Sequence, residues 1–428
     1  MSTKATHSLP GPDDTLRQTL PNGITVLARE NFASPAVVVQ GYLTAGALDE
    51  PVELSGLADF TVDVMERGTR RRSFEELYET VESVGASFGF NSGGHSTGFG
   101  GKGLADQLPT LLDILSEVLR EPTFPPDQVA KVRGELLTDL RERAHDTRSM
   151  ASLMFNELAY PAEHPYHYPQ SGYLETIQRI TRENLVDFHR RYFAPQGAVI
   201  VIVGAVKAAD ALKAVQHAFG AWQGARPERS PLPPAPPLAA RAEGRVAIPD
   251  KTQSDVMLGW PGPARSSPDF MHCHLANTVL GIFGMMGRLG KVVREANGLA
   301  YYVYSQVQGG LGPGAWRVIA GVNPANVERA VDLSVQELRR MREERVPDEE
   351  LADSQAYLTG ILPLQLETNE GVAATLLNIE RYDLGLDYLS RYTDLIKSVT
   401  PEEVQAAAQR WLDPDHFALA VAGPPESP

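Results

Sequence analysis

Two stretches of the chain carry polar and apolar residues in the same order. Residues 181–204, TRENLVDFHRRYFAPQGAVIVIVG, align without a gap on residues 400–423, TPEEVQAAAQRWLDPDHFALAVAG. Thr181/Thr400, Glu183/Glu402, Arg191/Arg410, Pro195/Pro414 and Gly204/Gly423 are identical. Each copy opens with a threonine two residues before a glutamate, which predicts an N-cap and a first helical turn. Each then runs with helical periodicity, stops near a proline and ends in an apolar run that predicts a strand. PDQV at 126–129 and PDEEL at 347–351 form a second echo, each opening a helix with proline at its first position. The chain reads as a tandem repeat.

Elsewhere, apolar runs at 36–43 (AVVVQGYL) and 199–203 predict strands, and residues 108–120 and 324–342 predict long helices with a proline in the first turn. Between the copies, the crowded prolines of 225–243, ARPERSPLPPAPPLAARAE, exclude regular structure and predict a stiff spacer. The expected organisation is one domain over 1–224, a linker over 225–243 and a homologous domain over 244–428. Strands and long helices in this order predict the α+β class, each domain an antiparallel sheet with helices packed mainly on one face.

With 428 residues and 43% hydrophobic content, the chain can bury at least two cores. Its formal net charge of −15 argues against nucleic acid or an anionic membrane surface as partner. A single cysteine, Cys273, excludes an internal disulfide and a cysteine-built zinc site. The first residues, MSTKATHSLPGPDDTLRQ, lack the apolar core of a secretory signal, and no apolar run is long enough to span a membrane. The expected location is cytoplasmic.

Residues 56–69, GLADFTVDVMERGT, bring in chemistry. They resemble the zinc helix of pitrilysin- and insulinase-type peptidases, whose inverted motif H-x-x-E-H sits in a frame similar to G-L-A-H-x-x-E-H-M-x-x-x-G-T. Gly56, Leu57, Ala58, Gly68 and Thr69 keep the frame, and the resemblance runs from TLPNGITVL at 19–27 to the last strand. In such a helix two imidazoles at i and i+4 hold zinc from one face, and the glutamate at i+3 activates the bound water. Here Asp59 and Asp63 occupy the histidine positions and Val62 the glutamate position. The family takes its third ligand from a glutamate in a later helix, and the corresponding window falls on Asp139, with Thr138 and Leu140 beside it. Two readings of Asp59, Asp63 and Asp139 stand side by side. They form an all-carboxylate cluster suited to Mg²⁺ or Ca²⁺ rather than Zn²⁺, or they are solvated or arginine-paired acids on a decayed site, with Arg67, Arg70 and Arg71 close in sequence. Neither supplies a base, because Val62 cannot take a proton from water. No metal is expected on this chain.

Residues 289–307, LGKVVREANGLAYYVYSQV, predict a helix ending at Gly298 and a strand from Leu299. They resemble the family's second-domain motif R-x-x-x-G-L-x-Y, with Arg294 and Tyr301 in its two polar places. On their own these residues equally suit a cation at a helix C-terminus and an ordinary strand tyrosine. The resemblance implies contact with a substrate carbonyl or its oxyanion. It also implies that the two domains form half of a clam-like chamber. Some bacterial members divide the zinc motif and the Arg/Tyr pair between two subunits. The implied function is therefore a non-catalytic, substrate-orienting subunit of a heterodimeric zinc endopeptidase acting on peptides or unfolded proteins. The zinc would belong to a homologous partner bearing H-x-x-E-H. A scaffold or peptide-binding homodimer without proteolysis is the alternative, and a hydrolase with a carboxylate-bound metal is a remoter one.

The glycine-rich stretch 90–103, FNSGGHSTGFGGKG, fails the phosphate-loop pattern at Ser96 and Gly103. In the family this region supplies an edge strand and turn beside the substrate, although Gly89 stands where an asparagine is expected. His272 and His274, flanking Cys273, cannot share a helix face and are expected to pack, as are His164 and His167.

Overall fold

The computed structural model describes residues 9–282 and 287–425. Six strands of the first half form one sheet: β1 (Thr15–Thr19), β2 (Thr25–Glu30), β3 (Ala36–Leu43), β4 (Ser87–Ser92), β5 (Thr97–Leu104) and β6 (Val199–Gly204), in the order β1-β2-β6-β3-β5-β4. Five strands of the second half form another: β7 (Ala242–Ala247), β8 (Ser254–Pro261), β9 (Ala300–Val307), β10 (Ala315–Val322) and β11 (Ala418–Gly423), in the order β7-β11-β8-β10-β9. With the helices between them, the fold is α+β.

The repeat read from the sequence extends to strand register. Val203 pairs with Val38 in the first sheet, and Ala422, its counterpart in the gapless alignment, pairs with Asp255 in the second. β2, β6, β3, β5 and β4 therefore correspond to β7, β11, β8, β10 and β9. One detail departs from the expected antiparallel sheets, since β2–β6 and β7–β11 are parallel. In each half the closing strand returns through helices and inserts beside the opening one, a crossover that parallel pairing requires.

Local signals hold where capping chemistry is explicit. Thr181 and Thr400 cap their helices by accepting from Asn184 N–H at 3.3 Å and Glu403 N–H at 3.2 Å. Residues 108–120 form the expected helix. The segment from Pro324 starts as a 3₁₀ turn and becomes helical over Val327–Glu343. No helix among the described residues is long and apolar enough to cross a membrane.

The chain divides into two compact units, each built from three stretches. One comprises residues up to 138, 170–230 and 361–392; the other comprises 139–169, 231–360 and the residues from 393 onward. In the first unit, the helix Asn369–Arg381 lies on one face of the first sheet, where Val372, Ala373 and Leu376 pack against Leu27, Val38, Tyr42 and the β6 valines. In the second unit, the helix Thr147–Ala159 covers the corresponding face, with Ala151 and Phe155 against Met257, Ile319 and the β11 alanines. The strands of each sheet come from one half of the chain, with β7 starting at Ala242 inside the expected linker, whereas these two covering helices each come from the other half.

Candidate functional site

The helix Leu57–Met65 is buried along most of its surface; Asp59 and Asp63 are its half-buried positions, one turn apart. Its N-cap, Gly56, has φ +95°, and a Cβ there would meet Ile177 Cδ1 at 2.7 Å, so the turn into the helix requires glycine. Glu50 closes the helix start by accepting from Gly56 N–H at 2.8 Å and Ala58 N–H at 2.7 Å. Burial raises the Glu50 pKa while these donors pull it down. Val62, at 1% exposure, belongs to the core, so the place of the family's base is closed as well as inert.

Three arginines after this helix, Arg67, Arg71 and Arg72, have acidic partners. Arg71 reaches Asp113 at 2.7 Å and Glu117 at 2.6 Å, and Arg72 joins the same two acids. Arg67 lies 4.9 Å from the centre of the Phe74 ring and pairs with Glu135 at 3.2 Å. Glu135 comes from the helix Pro126–Arg143, which also carries Asp139; Asp139 is exposed and falls in the second unit. Glu135 is thus the acid of this later helix that pairs with the end of the motif segment. Among the described residues, no group of three or more His, Cys, Asp or Glu side chains is placed to hold a metal ion. The donors at the motif are two carboxylates without an imidazole, a set that does not fit the zinc site of these peptidases.

Burial raises the Asp59 pKa to about 6. The unfolded chain releases this proton near pH ~3.9. Between these values the folded state binds more protons than the unfolded one, so stability falls as pH rises, and the penalty is complete above pH 6. The first-turn position favours the charge by about 0.3–1 kcal/mol and offsets part of it. Asp59→Asn is therefore expected to stabilise the protein by roughly 1–2 kcal/mol at pH 7.5 and to make little difference at pH 4. Urea melts at the two pH values check this; an unchanged or lower midpoint at pH 7.5 contradicts it.

In the second unit, the segment expected to be a helix ending at Gly298 is π-helical over Gly290–Ala296, with Gly298 at φ +64°. Gly298 N–H donates to Arg294 O at 2.9 Å and Leu299 N–H to Val293 O at 3.0 Å, turning the chain directly into β9. A π-turn is rare and recurs at functional sites; here it carries Arg294, which is half-buried. Tyr301 lies at the start of edge strand β9 and is 62% exposed. Its neighbour Tyr302 faces the other way and donates to the buried carboxylate of Asp255.

A cleft of about 670 Å³ lies in the first unit beside edge strand β4, with Gly89, Gly98 and Gly100 in its lining and Glu370, Leu377 and Arg381 as one wall. By register these glycines share the sheet face of Gln40 and Tyr42. At the equivalent places the second sheet has Tyr304 for Gly89, Ile319 for Gly100 and Arg317 for Gly98. Side chains fill this face in one half and leave it open in the other. Of the histidines set apart above, His274 stacks on Phe270 at 6.0 Å and His164 on Tyr160 at 5.1 Å, and burial lowers both pKa values, to about 4 for His274; His167 meets the Tyr168 ring edge-on at 4.8 Å.

Residues 25–165 match the family profile described as Insulinase (Peptidase family M16), and residues 179–358 match the one described as Peptidase M16 inactive domain. The chain is 28% identical over 417 residues to an uncharacterized zinc protease of Streptomyces coelicolor, covering 95% of this chain and 89% of that protein. It is 22% identical over 407 residues to mitochondrial-processing peptidase subunit beta of Saccharomyces cerevisiae, covering 90% and 83%. A crystal structure of a peptidase M16 inactive domain from Pseudomonas fluorescens matches the fold with a TM-score of 0.88 at 24% identity, covering 97% and 98%. Profiles for both halves of one family, in the order of the two sheets, lead to one conclusion: the chain belongs to the insulinase peptidase family, M16.

Proposed function

We propose that the chain is a non-catalytic, substrate-orienting subunit of a heterodimeric zinc endopeptidase acting on peptides or unfolded proteins. The observation that carries this reading is the state of the motif helix: carboxylates stand at both histidine positions and Val62 is sealed in the core where a base would act. The second half, in contrast, keeps Arg294 on a π-turn and, at the start of the strand that follows, an exposed Tyr301. A guanidinium and a phenol can donate to a peptide carbonyl and to the oxyanion that develops from it. Their substrate would be cut by a metal-bound water on a homologous partner with intact H-x-x-E-H, and this chain would orient it. The cleft beside β4 supports binding of an extended segment, since an unpaired edge strand offers backbone donors and acceptors. A yeast relative that is named as a subunit is consistent with such a division of labour.

Affinity capture of the tagged chain from its own cells tests this. Recovery of a homologue with H-x-x-E-H, and chelator-sensitive peptide cleavage by the pair but not by either chain alone, is the expected result. Recovery of this chain alone as a dimer, with no cleavage, would replace the reading with the scaffold or peptide-binding homodimer.

A further inference from the structure

Two arginines without a counter-charge meet where helix Thr147–Ala159 covers the second sheet, one on the sheet and one, exposed, at the start of the helix. Arg317, on β10, is half-buried; it donates from Nη1 to Ser152 Oγ at 3.2 Å and from Nη2 to Gln306 Oε1 at 3.4 Å. Its Nε is buried without a hydrogen-bond partner, and its guanidinium lies 5.9 Å from the centre of the Phe155 ring. Arg148, at the start of the covering helix, donates to the Tyr304 hydroxyl and sits 5.5 Å from the Tyr302 ring and 5.7 Å from the Tyr304 ring. The two guanidiniums repel one another, and burial lowers the Arg317 pKa.

Among the described residues, neither arginine forms an ion pair, in a protein whose net charge is −15 and in which acids outnumber bases. The nearby acid, Asp255, is taken up by Thr147, Gln253 and Tyr302. A partly buried cation with an unmade hydrogen bond is costly, and packing alone does not call for it, because a methionine of similar length would cover Phe155 and Met257 without the charge.

We propose that Arg148 and Arg317, with the Tyr304 hydroxyl that Arg148 reaches, form an oxyanion-binding site that takes a carboxylate from a peptide. The guanidinium fork matches the two oxygens of a carboxylate, and the phenol adds a third donor. Gln306, on edge strand β9, is exposed and marks the open side through which an acidic side chain or a chain terminus reaches the arginines. The site does not depend on the subunit reading.

The full-length chain can be titrated with end-blocked Gly-Gly-Glu-Gly-Gly, with its glutamine counterpart and with inorganic phosphate, following binding and melting temperature. The glutamate peptide is expected to bind at least tenfold more tightly than the glutamine peptide, and Arg317→Met or Arg148→Gln to abolish the difference. Without ligand, Arg317→Met is expected to melt about 2–4 °C higher than the wild type, because it removes an uncompensated charge. Arg317→Lys keeps the charge and loses the fork, and should retain the fold while binding weakly. Arginine-dependent binding of phosphate alone would support the site and assign it to a free anion. Equal binding of both peptides and no arginine-dependent phosphate binding, together with a lower melting temperature in Arg317→Met, would show that Arg317 is a packing residue and overturn the proposal.

Discussion

In the proposed two-subunit peptidase, the double variant Arg294→Ala/Tyr301→Phe is expected to assemble like the wild type and to turn over peptide about 10²–10³-fold more slowly, the cost of removing donors aimed at a developing oxyanion. Assembly and folding should be spared because neither side chain belongs to the core: Tyr301 is 62% exposed and Arg294 lies on the short π-turn. The adjacent tyrosine is a demanding control. Tyr302→Phe removes the donor to the buried Asp255, so it should lower stability by about 1–3 kcal/mol and leave turnover at saturating substrate nearly unchanged. Cleavage rate and subunit association, read on the same samples, separate the two effects. Wild-type turnover in the double variant would reduce Arg294 and Tyr301 to structural residues and remove the chemical basis of the proposed function.

A fragment ending at residue 224, which contains the whole first sheet, will not fold on its own. It lacks the helix Asn369–Arg381, so the face formed by Leu27, Val38, Tyr42, Val199, Val201 and Val203 loses its cover. Val372 and Leu376 alone bury side chains worth about 1.5–3 kcal/mol each, and the sheet face loses burial on its own side too; domains hold only about 5–15 kcal/mol in total. Appending residues 361–392 through a flexible Gly/Ser linker should restore cooperative urea unfolding. A sigmoidal melt from the bare fragment would show that the covering helix is dispensable.

The sequence made legible those features whose physics is local. Thr181 and Thr400 cap helices because a side-chain oxygen meets an amide within one turn, and Gly298 ends its helix because it can adopt φ +64°. The exchanged helices were not legible, because periodicity shows that residues 369–381 have an apolar face and not which sheet that face meets. The pairing of Arg67 with Glu135 was hidden for a related reason, since a count along the chain does not tell which acid of a later helix meets which base. Val62 was readable as a missing base, but its burial depends on neighbours far away in the sequence. The open face beside β4 was hidden because glycine adds neither an apolar nor a polar beat to the strand pattern.

That glycine-lined face has a kinetic consequence. Its room was made by omitting side chains from a backbone whose counterpart in the other half is filled, so no strand or loop has to move to create it. At Gly89 an added Cβ would meet nothing within 4 Å. A segment settling there meets a surface already in its final shape, and its arrival should be governed by diffusion and orientation, without a preceding opening step that saturates with concentration.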